Sequence, residues 1–151
     1  MSEEKTPASS EDIADRVRAS FELQGLMRLL GAELGRVEPG HVRITLPRRP
    51  EVSQQHGYVH AGATSAIADS AGGYAALTMM PASSGVLTVE YKLNLVAPAA
   101  GDHLEALGTV LKAGRTLTVC KLEVFAVTDG ERKLVAVGQQ TLIGLPGEGA
   151  A

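Results

Sequence analysis

The chain holds one cysteine, Cys120, no tryptophan, and only three tyrosines and two phenylalanines. A single cysteine excludes an internal disulfide and a cysteine-rich metal centre, and it suits a reducing compartment. With so few aromatics, the core has to be built from Leu, Val, Ile and Ala. No uninterrupted apolar run is long enough to cross a bilayer. No basic stripe is present, and the formal net charge of −3 argues against nucleic acid as the main partner. The N-terminal stretch MSEEKTPASSEDIADRVR is acidic and polar, unlike a secretory signal, so a soluble cytoplasmic protein is the expectation. No His/Cys/Asp spacing suggests a metal, and no Walker-type or dinucleotide-binding loop occurs. No cofactor is expected.

What is present suits one domain. The chain has 151 residues, 44% of them hydrophobic, enough for a single compact core. Residues 1–9 read as a loose polar tail, 10–145 as the domain and 146–151 as a Gly/Pro-rich tail. Ser10 is a candidate cap for a first helix whose apolar positions include Ile13, Val17 and Phe21, with an interruption at Gly25 and an end near Gly31. Two short strands follow around the turn Glu38-Pro39-Gly40, and Pro47 and Pro50 open a loop. From His60 to about Leu77, alanines and other small residues predict a buried helix in which Gly72 and Gly73 are weak points. The strand after it alternates, with Leu87, Val89, Tyr91, Leu93 and Leu95 on one face and Thr88, Glu90, Lys92 and Asn94 on the other. Three further strands complete an expected four-stranded meander. The economical way to bury the helix is to wrap an antiparallel sheet around it, an α+β arrangement.

Asp69 is the only Asp, Glu, Lys or Arg between Glu51 and Glu90, and it falls inside that helix. An ionised carboxylate is costly to bury, so a chain that places one there usually needs it. The bland account is a buried Asp paired with an Arg or bonded to local backbone.

The loop and helix, with Gln54, Gly57, His60-Ala61-Gly62 and Asp69, resemble the PaaI-like acyl-CoA thioesterases of the hotdog fold. The segments GVLTVEYKLNLVAPAAGD, KAGRTL and GERKLVAVGQQT are similar to that family's later strands. Gln54 stands where the family has Asn, and Ala61 replaces the first Gly of a His-Gly-Gly triplet. The resemblance implies an antiparallel sheet around one long central helix. It also implies hydrolysis of acyl-CoA at a composite site on a dimer interface, with Thr88 as the Ser/Thr that helps position the nucleophile.

Thioester hydrolysis needs a polarised carbonyl, a nucleophile or a base for water, and a pocket for the acyl chain. The leading N–H groups of a helix lack intrahelical partners and carry partial positive charge, so Ala61 and Gly62 could stabilise an oxyanion. Asp69 could act as general base or attack directly. Nine residues separate His60 from Asp69, which is about 13 Å along a helix. One helix cannot easily aim its own N-terminus at a carbonyl that its own Asp69 attacks, whereas two antiparallel helices from two subunits could. A homodimer, paired further into a tetramer, is therefore expected.

Gln54 could orient water or the Asp69 carboxylate, or simply tie down its loop. His60 reads as a helix-end hydrogen-bonding residue rather than a proton carrier, and His56 as a surface histidine. Tyr74 reads as core packing with a share in the acyl pocket. Lys112, Arg115 and Lys121 gather around a turn and could meet CoA phosphates, or could be ordinary solvated charges. Cys120 reads as a packed thiol. The acyl group expected is medium or long chain, or aryl. Two other functions compete: a hotdog dehydratase or hydratase using His56 with Asp69, and a non-catalytic acyl-CoA-binding or regulatory domain.

Overall fold

The computed structural model describes residues 8–146. The expected tails over 1–9 and 146–151 lie outside the described residues, apart from Ala8, Ser9 and Pro146. Ser9, not Ser10, caps the first helix, α1 (Ser10–Glu22). Its Oγ accepts the Asp12 N–H at 3.1 Å, and Asp12 Oδ2 accepts the Ser9 N–H at 3.3 Å. A reciprocal box needs a suitable acceptor three residues on, and only Ser9 has one; Ile13 stands three after Ser10. The helical stripe breaks at Leu23 and Gln24, so Gly25 begins the second helix, α2 (Gly25–Leu30), rather than interrupting the first.

Strands β1 (Glu33–Glu38) and β2 (His41–Pro47) pair around Pro39-Gly40, and a short 3-10 turn at Pro50–Val52 leads into the loop. The central helix α3 (Ala61–Leu77) runs unbroken through Gly72 and Gly73. After it come β3 (Gly85–Leu95), β4 (His103–Ala113), β5 (Leu117–Thr128) and β6 (Glu131–Leu145). All six strands form one antiparallel sheet in the order β1-β2-β4-β5-β6-β3.

The expected four-stranded meander is thus shorter: only β4, β5 and β6 follow one another, and β3 lies on the far edge beside β6. Three strand spacings, about 14 Å, separate β3 from β4. The segment 96–102 crosses that distance along the end of the sheet. Val96 N–H donates to Val135 O, and Asp102 N–H to Val127 O, both at 2.8 Å. A loop of that length reads equally well as a hairpin, so the sequence does not distinguish the two.

The core lies between α3 and the sheet. Ile67, Ala68, Ala71 and Ala75 pack with Leu104, Ala106, Leu122 and Val124, all fully or almost fully buried. Small residues let the helix backbone ride directly on β4. A Cβ on Gly108 would lie 2.3 Å from Ala71 O, so only glycine allows that approach.

Edge strand β3 departs most from its expected pattern. Leu87, Val89, Tyr91 and Leu95 are between 47% and 56% exposed, and among the described residues no strand covers the outer edge. The pairing with β6 shifts between Thr88 and Glu90, which leaves Val89 as an extra residue in a bulge. Thr88 is opposite Leu142, whereas Tyr91 is opposite Gln140 and Leu93 opposite Gly138. Directly opposed residues share a face. The bulge therefore turns Thr88 to the α3 side together with Tyr91 and Leu93, and Leu87 to the other side. The simple alternation expected of this strand is broken at that point.

Candidate active site

Asp69 lies two turns into α3 and is half-buried. Its Oδ1 accepts the Thr88 hydroxyl at 2.7 Å and Gln140 Nε2 at 2.6 Å. Among the described residues no cation pairs with it, and Oδ2 has no hydrogen-bond partner. The bland account of an Asp–Arg pair does not describe it.

Asp69 and Thr88 line a cleft of about 710 Å³ between α1, α3 and the start of β3, with Leu23, Leu77, Val86 and Leu142 among its apolar walls. The α1 wall is held by hydrogen bonds. Gln24 Nε2 donates to the Tyr74 hydroxyl at 2.7 Å, the Ser70 hydroxyl donates to Gln24 Oε1 at 3.2 Å, and Ser20 Oγ lies 3.2 Å from the Tyr74 oxygen. Arg16 reaches the C-terminal end of α3, where Nη2 donates to Leu77 O at 2.5 Å and Nη1 to Pro81 O at 2.9 Å. A cation suits that end of a helix, where the last carbonyls lack partners. Burial lowers the Arg16 pKa from its ordinary value. Tyr74 is buried, yet it also borders the cleft.

The start of α3 opens on a different cleft, of about 380 Å³, lined by Gln54, Tyr58, His60 and Ala61 with Leu95 and Pro98. His60 is the helix cap: its Nδ1 accepts the Gly62 N–H at 2.7 Å. Of the two expected donors, Ala61 N–H is the one with no partner among the described residues. Ala61 opens the helix with no positive φ, so the conformation does not call for glycine there. Gln54 folds onto its own loop. Its Oε1 accepts the His56 N–H at 2.5 Å, and its backbone C=O accepts the Gly57 N–H at 3.0 Å.

Within one chain, then, the structure brings Asp69, Thr88 and Tyr74 together, and separately Gln54, His60 and Ala61, in clefts that share no lining residue. The basic group joins neither. Lys121 points away from α3 and pairs with Glu123 at 3.2 Å, while Lys112 and Arg115 are exposed near the β4–β5 turn. His56 is exposed and lines neither cleft. Cys120 is fully buried 3.5 Å from Gly72 O, and burial pushes its thiol up to about 11.

Sequence reasoning missed Gln140, which is wholly buried on the helix side of β6. A signal was available. Gln139 and Gln140 are adjacent in an alternating strand, so one of them faces the core whatever the register.

The sequence profile of the thioesterase superfamily matches residues 56–133, just over half of the chain and including the helix with Asp69. The chain belongs to the thioesterase superfamily. A thioesterase family protein from Silicibacter pomeroyi is 42% identical, with a TM-score of 0.87 over 89% of this chain and 99% of that one. The E. coli PaaI protein, from the phenylacetic acid degradation operon, shares the fold at 21% identity, with a TM-score of 0.81 over 93% of this chain and 99% of its own. A 1,4-dihydroxy-2-naphthoyl-CoA hydrolase from Listeria monocytogenes is 25% identical over 78% of this chain and 94% of that one. The fold is the PaaI-like hotdog fold, and this thioesterase is a thioester hydrolase. That finding speaks against both the dehydratase and the non-catalytic readings.

Proposed function

We propose that this thioesterase hydrolyses medium- or long-chain, or aryl, acyl-CoA at a site shared by two protomers. Asp69 of one chain serves as general base or nucleophile. The N–H groups at Ala61 and Gly62 of the other chain polarise the thioester carbonyl, with Ala61 the freer donor. The acyl group lies in the Asp69 cleft, whose volume is in the usual range for a small-molecule site.

The observation that carries this reading is the separation of the two halves. The carboxylate and the helix N-terminus open on clefts with no residue in common, although the reaction needs both at one carbonyl. A second copy docked against the exposed apolar edge strand β3 would supply the missing half. Gln54, beside the helix N-terminus, would then help to orient water or the carboxylate across the interface. Lys112, Arg115 and Lys121 would meet the phosphates of CoA. Further pairing into a tetramer would bring their sheet faces together.

Asp69→Asn, assayed by thiol release from a panel of acyl-CoAs, is the direct test. A loss of kcat of about a hundredfold or more is expected for removal of a base or nucleophile. Unchanged hydrolysis would overturn the assignment.

A further inference from the structure

Gln140 binds Asp69 more closely than any other side chain, yet it is wholly buried and lines neither cleft. Its Nε2 lies 2.6 Å from Asp69 Oδ1, 2.9 Å from Thr88 Oγ1 and 3.2 Å from the Asp69 backbone oxygen. The Thr88 hydroxyl places its own proton on Oδ1, so its oxygen is free to accept from Nε2. Amide, hydroxyl and carboxylate thus close a ring of three hydrogen bonds, two of which end on Asp69 Oδ1.

Hydrogen-bond chemistry decides which way the amide faces. Turned over, Gln140 Oε1 would confront two acceptors, Asp69 Oδ1 and Asp69 O. The orientation that serves Asp69 leaves Oε1 buried with no partner among the described residues. A core position with only a packing role would be better filled by leucine or methionine. The helix gives way at the same place. A Cβ on Gly72 would sit 1.9 Å from Gln140 Oε1 and 2.6 Å from Leu122 Cδ2, so a glycine is kept inside a helix that alanine would otherwise favour. The orphaned amide oxygen is a local penalty accepted for the bond to Asp69, and Gly72 leaves the room that Gln140 and Leu122 share.

We infer that Gln140 is a positioning residue for Asp69. It fixes Oδ1, leaving Oδ2 as the oxygen free to act, and Gly72 is the gap that admits the amide. The inference rests on Asp69 being the reacting carboxylate.

The test is Gln140→Leu, measured for kcat and KM on an acyl-CoA and for its urea midpoint, with Asp69→Asn alongside. If Gln140→Leu fails to fold, Gln140→Met is read in the same way. The expected result is a fall in kcat of about ten- to a hundredfold, KM within about twofold, and a urea midpoint at or above wild type. A kcat within about twofold of wild type, or a fall in kcat that only tracks a lower midpoint, overturns the inference. If Asp69→Asn is inactive while Gln140→Leu keeps its kcat, the positioning role alone fails. If Asp69→Asn keeps its activity, the proposed site fails first.

Discussion

The Thr88 hydroxyl donates to Asp69 Oδ1 at 2.7 Å, across a bulge that turns an edge-strand residue towards the central helix. Bulges re-aim side chains, and they recur next to active sites. Here the extra residue, Val89, lets Thr88 face α3 without turning Tyr91, Leu93 and Leu95 away from it.

Removing this hydroxyl should therefore affect catalysis more than folding. Thr88→Val keeps the shape and strand preference but loses the donor. It is expected to lower kcat about tenfold, roughly 1.4 kcal/mol, with little change in KM. Thr88→Ser should stay near wild type. Equal kcat values for the two variants in a steady-state assay would show that the hydroxyl does not matter.

The shared site makes a prediction about mixed subunits. Ala61 is the first residue of α3, and His60 before it has φ −62° and ψ 139°, so the geometry accepts proline at position 61. Ala61→Pro removes the free N–H and should be inactive, as should Asp69→Asn. Unfolded together at equal amounts and refolded, the two variants form mixed dimers in which one of two sites is intact. About a quarter of wild-type activity should return. If both halves of each site belonged to one chain, mixing would restore none.

Cys120 sets a limit on stability at high pH. Burial raises its pKa from 9.0 to about 11, so the folded chain holds that proton more tightly than the unfolded one. Its contribution is complete below about pH 9 and is lost as the pH rises towards 11. Across that window wild type should lose about 2 kcal/mol more than Cys120→Ala, measured from urea midpoints at each pH. Parallel curves for the two proteins would show that the thiol titrates alike in both states.

Much of the fold is legible in the sequence because it rests on local signals. Pro39-Gly40 marks a turn, His60 and the small residues after it mark a buried helix, and the alternating stretches mark strands. Where the reading failed, the deciding contact lay far along the chain. The segment 96–102 could close a hairpin or cross the sheet. The place of β3 is settled by its pairing with β6, some fifty residues on, not by that loop. Ser9 was missed as a cap for a smaller reason, since the box depends on where Asp12 falls and not on the serine nearest the helix.

The site divides in the same way. Asp69 is conspicuous in the sequence because it is the one charge in a long uncharged stretch, and a carboxylate that must be desolvated needs a reason to be there. Its spacing from His60 already argues that one helix cannot supply both halves of the reaction. Only the tertiary structure decides which groups hold the carboxylate. Thr88 faces it because of a bulge, and Gln140 reaches it from β6 through the gap at Gly72. Local propensity places residues on elements. Which of their atoms meet is decided by packing between elements: a methyl group at Gly72 would have to displace the ends of the Gln140 and Leu122 side chains.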